Sequence, residues 1–372
     1  MKYPHPSPAL RLLAMLLIAG VMSTACGETV TDPAVRPTQS DQVDAAPTAP
    51  AERAPTASAP AANLTNGCVE TYDPDVDYFP EKAELQYSAG WTITYEKNYK
   101  VVNVLNPWRD AEVDFQYLLV QCGTPAPDGF ADAQVIEVPI NTIVTMSTTH
   151  LPHLEDLDLL AALVGVSNGP FVSNPTVRDM LATGTVTEVG RGAEVNLERI
   201  LEIDPDVVMD YGVGDAQNDT YPVLRQAGLN VALNSEYMET SPLGRAEWIK
   251  FTAALFNREA AAETVFADMA DAYTALAIRA DTVAERPTVF TGAPFEGTWY
   301  VPGGNSYVAQ LLADAGADYL WADDDSTGSL QLSFEVVYDR VVAGDVWVNT
   351  STWTSIAEAL TADERFADFA AL

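Results

Sequence analysis

The sequence predicts an α/β protein of two doubly wound lobes joined by a long backbone helix, with a β-rich extension ahead of them. Three patterns predict it. Short apolar runs alternate with helical stretches from residue 135 to 233 and again from 288 to 360. Between these blocks, residues 245–257 and 259–284 contain no glycine or proline and are dense in alanine. Ahead of them, residues 87–122 alternate apolar and polar side chains and are rich in strand formers.

In chain order, residues 1–26 read as an export signal. Lys2 and Arg11 supply positive charge, residues 12–22 are apolar, and the small Ser23, Thr24 and Ala25 precede Cys26. This run is too short to span a bilayer, which takes about 20 residues. The cysteine that closes it resembles a bacterial lipobox, in which that residue is acylated and becomes the mature N-terminus. The alternative is ordinary cleavage that leaves a free thiol. Residues 27–66 form a flexible linker: residues 31–62 hold six prolines and ten alanines among 32 positions, too little apolar bulk to offset ordering entropy. With Cys26 lipidated, Cys68 and Cys122 remain as a pair that would oxidise outside the cytoplasm, closing a loop worth roughly 4 kcal/mol.

The extension covers 67–133, with antiparallel strands expected over 91–95, 99–104 and 113–121 and a break at Asn106-Pro107. The first lobe takes 134–244, with strands over 142–146, 164–167, 207–211 and 230–233 and helices over 152–163, 195–202 and 221–227. Pro152 and Pro222 suit first helical turns. Connecting helices fill 245–286, where Val265, Met269, Tyr273 and Leu276 recur at helical spacing. The second lobe takes 287–372, alternating from a strand at 288–291 to a helix at 355–360.

Charge narrows the function. With 53 acidic residues against 19 basic ones, net charge −34 and five lysines, the mean field repels polyanions and leaves no nucleic-acid partner. Among catalytic motifs there is no G-x-S-x-G, H-E-x-x-H or G-x-x-x-x-G-K, so an enzyme is not expected. In open parallel sheets ligands bind beyond the carboxyl ends of the strands. That rule selects Ser147, Thr148, Thr149 and His150, then Arg191 between two glycines, then Tyr211 in Y-G-V-G, and Phe295, Trp299 and Tyr300 in the second lobe. Arg191 would meet an anionic ligand or pair with Glu188 or Glu194; the aromatics would wall a ligand or pack the core. His150 and His153, with Glu155 or Asp156, have the spacing of a partial metal site, but no third histidine remains after signal removal, so no metal is assigned.

Residues 144–167, 195–209 (V-N-L-E-R-I-L-E-I-D-P-D-V-V-M), 299–319 (W-Y-V-P-G-G-N-S-Y, ending D-A-G-A-D-Y) and 332–337 (L-S-F-E-V-V) resemble, in order, the extracytoplasmic substrate-binding proteins of ABC importers for ferric siderophores, haem and cobalamin. The resemblance covers about 136–372 and leaves the extension outside the common core. It implies a ligand cleft between rigid lobes and docking of Glu198 and Glu335 into arginine pockets of the importer permease. The alternative role for these glutamates is favourable charge at a helix N-terminus, about 0.3–1 kcal/mol. It also implies that the second lobe continues past residue 372, so the lobe as given is expected to be truncated, with an uncovered sheet edge. The resulting expectation is a lipid-anchored, extracytoplasmic, monomeric protein without a cofactor. It would capture a small-molecule iron chelate, a ferric siderophore, with cobalamin or haem next and a bare metal ion third.

Overall fold

The computed structural model describes residues 59–348 and 353–369; the signal, Cys26 and most of the linker lie outside them. The extension forms a sheet of β1 (Trp91–Tyr95), β2 (Tyr99–Val104), β3 (Phe115–Gln121) and β4 (Gln134–Val138) in that order. β1, β2 and β3 are antiparallel, but β4 runs parallel to β3. This corrects the boundary at residue 134, since β4 completes the extension's sheet. The reason lies in β3, whose Leu118, Leu119 and Val120 are all buried, so it is covered on both faces and hydrogen-bonded along both edges. Cys68 and Cys122 are disulfide-bonded, with Cα atoms 4.8 Å apart. The expected linker also ends early: Asn63 is buried, donating to Glu81 O (2.7 Å) and Glu259 Oε2 (2.9 Å).

The first lobe contains β5 (Ile143–Thr145), β6 (Leu163–Val166), β7 (Thr187–Glu188), β8 (Val207–Asp210) and β9 (Val231–Leu233). They form a parallel sheet of order β7-β6-β5-β8-β9, flanked by α1 (Leu151–Asp156), α2 (Pro175–Thr183), α3 (Leu197–Ile203) and α4 (Tyr221–Gln226). The strand order reverses between β5 and β8, which makes that crevice the topological switch point. The helix expected over 152–163 stops at Asp156, because Asp158 adopts a left-handed φ of 56° that breaks the ladder. Asn174 caps α2 by accepting from Val177 N, and Asn196 caps α3 by accepting from Arg199 N.

Helices α5 (Pro242–Ala246), α6 (Ile249–Leu255) and α7 (Glu259–Asp281) lead to the second lobe. That lobe holds β10 (Thr288–Thr291), β11 (Pro294–Phe295), β12 (Thr298–Pro302), α8 (Tyr307–Asp314), β13 (Asp318–Tyr319), β14 (Ser329–Ser333), α9 (Phe334–Val341), β15 (Val346–Val348) and α10 (Ile356–Ala362). Parallel strands order as β13-β10-β15, while β11-β12-β14 form an antiparallel sheet that the alternation of strand and helix did not announce. Among the described residues β15 pairs on one side only, and Val346 and Val348 are each 40% exposed.

Buried charge fastens the extension to the first lobe. Glu247, fully buried, accepts from the backbone N–H groups of Gln86 (2.9 Å), Tyr87 (2.8 Å) and Ser88 (2.7 Å) and pairs with buried Lys250 at 3.1 Å. Glu239 accepts from Gly90 N (2.8 Å), Ser88 Oγ (2.5 Å) and Trp248 Nε1 (3.0 Å). Lys100 of β2 has no exposed surface; it donates to Ala254 O and Asn257 Oδ1, each at 2.7 Å, and pairs with Glu259. Burial pushes the Lys100 pKa down, and Glu259 opposes the shift. Glu259→Ala strands that ammonium, and a loss of roughly 3–5 kcal/mol in denaturant unfolding is expected. A loss under about 1 kcal/mol would show that the pair is dispensable.

Candidate functional site

At the switch point the chain leaves β5 through Ser147, whose extended backbone starts the turn Thr148–His150 and whose hydroxyl lies 2.8 Å from Thr149 Oγ1. It leaves β8 through Tyr211 and β9 through the turn Glu236–Met238. These ends enclose a recess of about 150 Å³ lined by Ser147, Thr149, His150, Tyr211, Val213, Glu236, Tyr237 and Arg245. Thr148 starts the turn beside it. The carboxyl-end rule thus brings His150, Thr149 and Tyr211 together.

His150 is 1% exposed, and neither ring nitrogen has a hydrogen-bond partner among the described residues. Burial pushes its pKa down to about 3, opposed by the Met209 backbone, so at neutral pH it is an uncharged imidazole. His153 turns into the core instead, with Nδ1 2.9 Å from Thr252 Oγ1, and burial lowers its pKa to about 4. Glu155 is engaged by Asn174 Nδ2 at 2.8 Å. Among the described residues no group of three or more histidine, cysteine or acidic side chains could hold a metal ion.

Two aspartates shape the loop after β8. Asp219 accepts from Val213 N (2.7 Å) and Gly214 N (3.0 Å). Asp210 is buried, accepts from Thr220 Oγ1 (2.5 Å) and Tyr211 N (2.8 Å), and is pushed up to about pKa 6 by burial. These bonds hold the backbone beside Tyr211, a residue that is 41% exposed.

A second cavity of about 360 Å³ lies between the lobes. Arg109, Val213, Tyr237, Glu239 and Thr240 line one side; Pro302, Ser306, Tyr307, Thr327, Gly328 and Ser329 line the other. Val213 and Tyr237 line both the recess and this cleft. Arg245 spans the lobes, 3.2 Å from Glu236 and with its guanidinium 4.4 Å from the Tyr307 ring centroid.

Arg191 occupies the loop after β7, exposed, over the ring of Phe171 at 5.9 Å. Among the described residues it forms no ion pair, and Glu188 accepts from Gly169 N instead. Trp299 is a correction. It is fully buried between Trp347 (5.8 Å) and Phe366 (5.9 Å), because strand alternation turns Trp299 and Val301 into the lobe's core. Tyr300 lies on the opposite face, the side from which Pro302 lines the cleft. The sequence reading passed over Arg109, Tyr237, Arg245 and Glu236; scarcity of cations was the one signal that pointed to the two arginines.

Residues 143–372 match the family described as periplasmic binding protein. An uncharacterised lipoprotein of Methanocaldococcus jannaschii is 28% identical over 284 residues, 71% of this chain and 68% of that one. A cobalamin-binding protein of Halobacterium salinarum is 28% identical over 257 residues, 65% of this chain and 63% of that one. A periplasmic binding protein of Veillonella parvula superposes with a TM-score of 0.51 at 15% identity, covering 73% of this chain and 87% of its own, a likeness of fold alone.

The buried histidines set a pH dependence. Their folded pKa values lie below the unfolded value of about 6.5, so the unfolded chain binds more protons and stability falls as pH drops below 6.5. Each histidine contributes up to about 1.4 kcal/mol per pH unit until its folded pKa is reached. Denaturant unfolding of His150→Gln between pH 6.5 and 5 should show a slope shallower than the parent chain's, by about half a proton at pH 6.5 and approaching one proton at pH 5. An identical slope would mean that His150 titrates alike in the folded and unfolded chains.

Proposed function

The chain belongs to the periplasmic binding protein family, and from that premise we propose that it captures an anionic iron chelate, a ferric siderophore, between its lobes and delivers it to an ABC importer permease. Proteins of this family bind substrates for transport; they are not enzymes and carry no resident cofactor. The observation that carries the reading is Arg109 in the lining of the interlobe cleft, with Arg245 in the lining of the adjoining recess, in a chain with only 19 cations. Such positions favour an anionic ligand by charge-assisted hydrogen bonds. Cobalamin is the second reading, favoured by the name of the Halobacterium salinarum relative.

Acylation of Cys26 would hold the protein at the outer face of the membrane; the signal-like N-terminus and the lipoprotein names of two relatives support it. Glu198 and Glu335 are assigned to permease docking. Both are exposed in the first turns of α3 and α9, one from each lobe. Arg365 approaches Glu335 only to 3.8 Å, a solvated contact that a stronger partner would replace.

Native mass spectrometry against ferric siderophores, cobalamin, haem and zinc tests ligand capture. A one-to-one ferric siderophore complex is expected, and binding of zinc alone or of nothing would remove the reading. In membrane vesicles carrying the permease, Glu198→Ala with Glu335→Ala should abolish transport and leave ligand affinity unchanged. Lost affinity would place the two carboxylates in ligand binding instead.

A further inference from the structure

We propose that the extension, rather than either lobe, supplies the cation that reads the ligand's charge, and that this cation is Arg109. The inference deepens the function proposed above and rests on ligand capture in the interlobe cleft. Residues 105–111 precede the 143–372 stretch that matches the family, yet their turn reaches that cleft.

The turn is fixed to the first lobe by several independent contacts. Pro107 O accepts from Ser235 Oγ (3.1 Å), and the Tyr237 hydroxyl, which donates to Gly212 O at 2.6 Å, lies 3.3 Å from the same Pro107 O. Trp108 lies so close to Gly212 and Gly214 that a Cβ on either would fall 2.6 Å from its indole. Its ring also stacks on Tyr221 at 5.7 Å. Extension and loop therefore form one rigid wall, and Arg109 projects from it across the cleft. Arg109 Nη2 lies 2.5 Å from where a Cβ on Gly328 of the second lobe would sit, so the absence of that side chain makes room for the guanidinium.

Arg109 is uncommitted. Among the described residues it has no ion pair and no hydrogen bond, although it lines the cavity. Glu239, the acid in the same lining, is engaged elsewhere: its Oε1 accepts from Ser88 Oγ, Ala89 N, Gly90 N and Trp248 Nε1, and its Oε2 from Ala89 N at 3.2 Å. A chain of net charge −34 repels an anionic ligand at long range, so capture needs a local cation that is free to bind. A planar guanidinium whose backbone is fixed on this turn presents paired N–H donors to paired anionic oxygens, such as a carboxylate or catecholate.

The test compares the full chain with Arg109→Gln by tryptophan fluorescence titration. Two probes are anionic, ferric enterobactin and haem; two carry no net charge, ferrichrome and cyanocobalamin. The parent chain is expected to bind an anionic probe more tightly than either neutral one. Arg109→Gln should lose about tenfold or more of that affinity while a neutral probe stays within twofold. Preference of the parent chain for a neutral probe overturns the proposal and leaves ligand capture standing. So does an Arg109→Gln variant that binds the anionic probe within twofold of the parent, or one that weakens both kinds equally, which would mark a purely structural turn. If no probe binds the parent chain, ligand capture itself falls and this inference falls with it.

Discussion

Glu247 and Glu239 hold the molecule's parts in register. Each is a buried carboxylate, Glu239 at the end of the first lobe and Glu247 on the connecting segment, and each gathers N–H groups from residues 86–90, the approach to the extension's first strand. A buried carboxylate is tolerated only when several donors surround it, so its position and that of the donors are fixed together. Lys100 and Glu259 do the same one strand further on, with Asn63 and Asn257 completing the shell. Tyr117 extends the join by accepting from Leu233 N at the edge of the first lobe's sheet. The hydrophobic core agrees: Trp91 of the extension packs against Trp248 and Phe251 in the same cluster as Leu151 and Val166 of the first lobe.

The interlobe cleft inherits its geometry from that join. Trp108 and Arg109 can lie over the loop after β8 only because β2 and β3, which flank their connection, are anchored from below. The electrostatics of the recess contrast with the rest of the chain. Most of the acidic excess is solvated surface, whereas the recess holds an uncharged histidine, two tyrosines and the Glu236–Arg245 pair, with the buried Asp210 behind Tyr211. Burial lowers the effective dielectric around these groups, so a cation nearby acts more strongly than one in open water. The second lobe contributes differently: its aromatic cluster of Phe290, Trp299, Phe334, Trp347, Phe366 and Phe369 stiffens the sheet whose other face lines the cleft.

Local pattern alone determined the helical connector, the parallel strands of the first lobe and the strands of the extension. Their signals are short-range: side-chain period, and glycine or proline at the ends. The carboxyl-end rule carried that reading to His150, Thr149 and Tyr211, since it needs only strand order and direction. Tertiary structure decided the rest. Parallel pairing of β4 with β3 depends on which edge is free once the sheet is assembled. Trp299 became core rather than ligand wall because the antiparallel sheet set which face turned inward. Arg109 and Gly328 are separated by more than 200 positions and meet only after the extension, the first lobe and the second have packed. No periodicity reports such a contact, because it is fixed by long-range burial and hydrogen-bond satisfaction rather than by the backbone's local preferences.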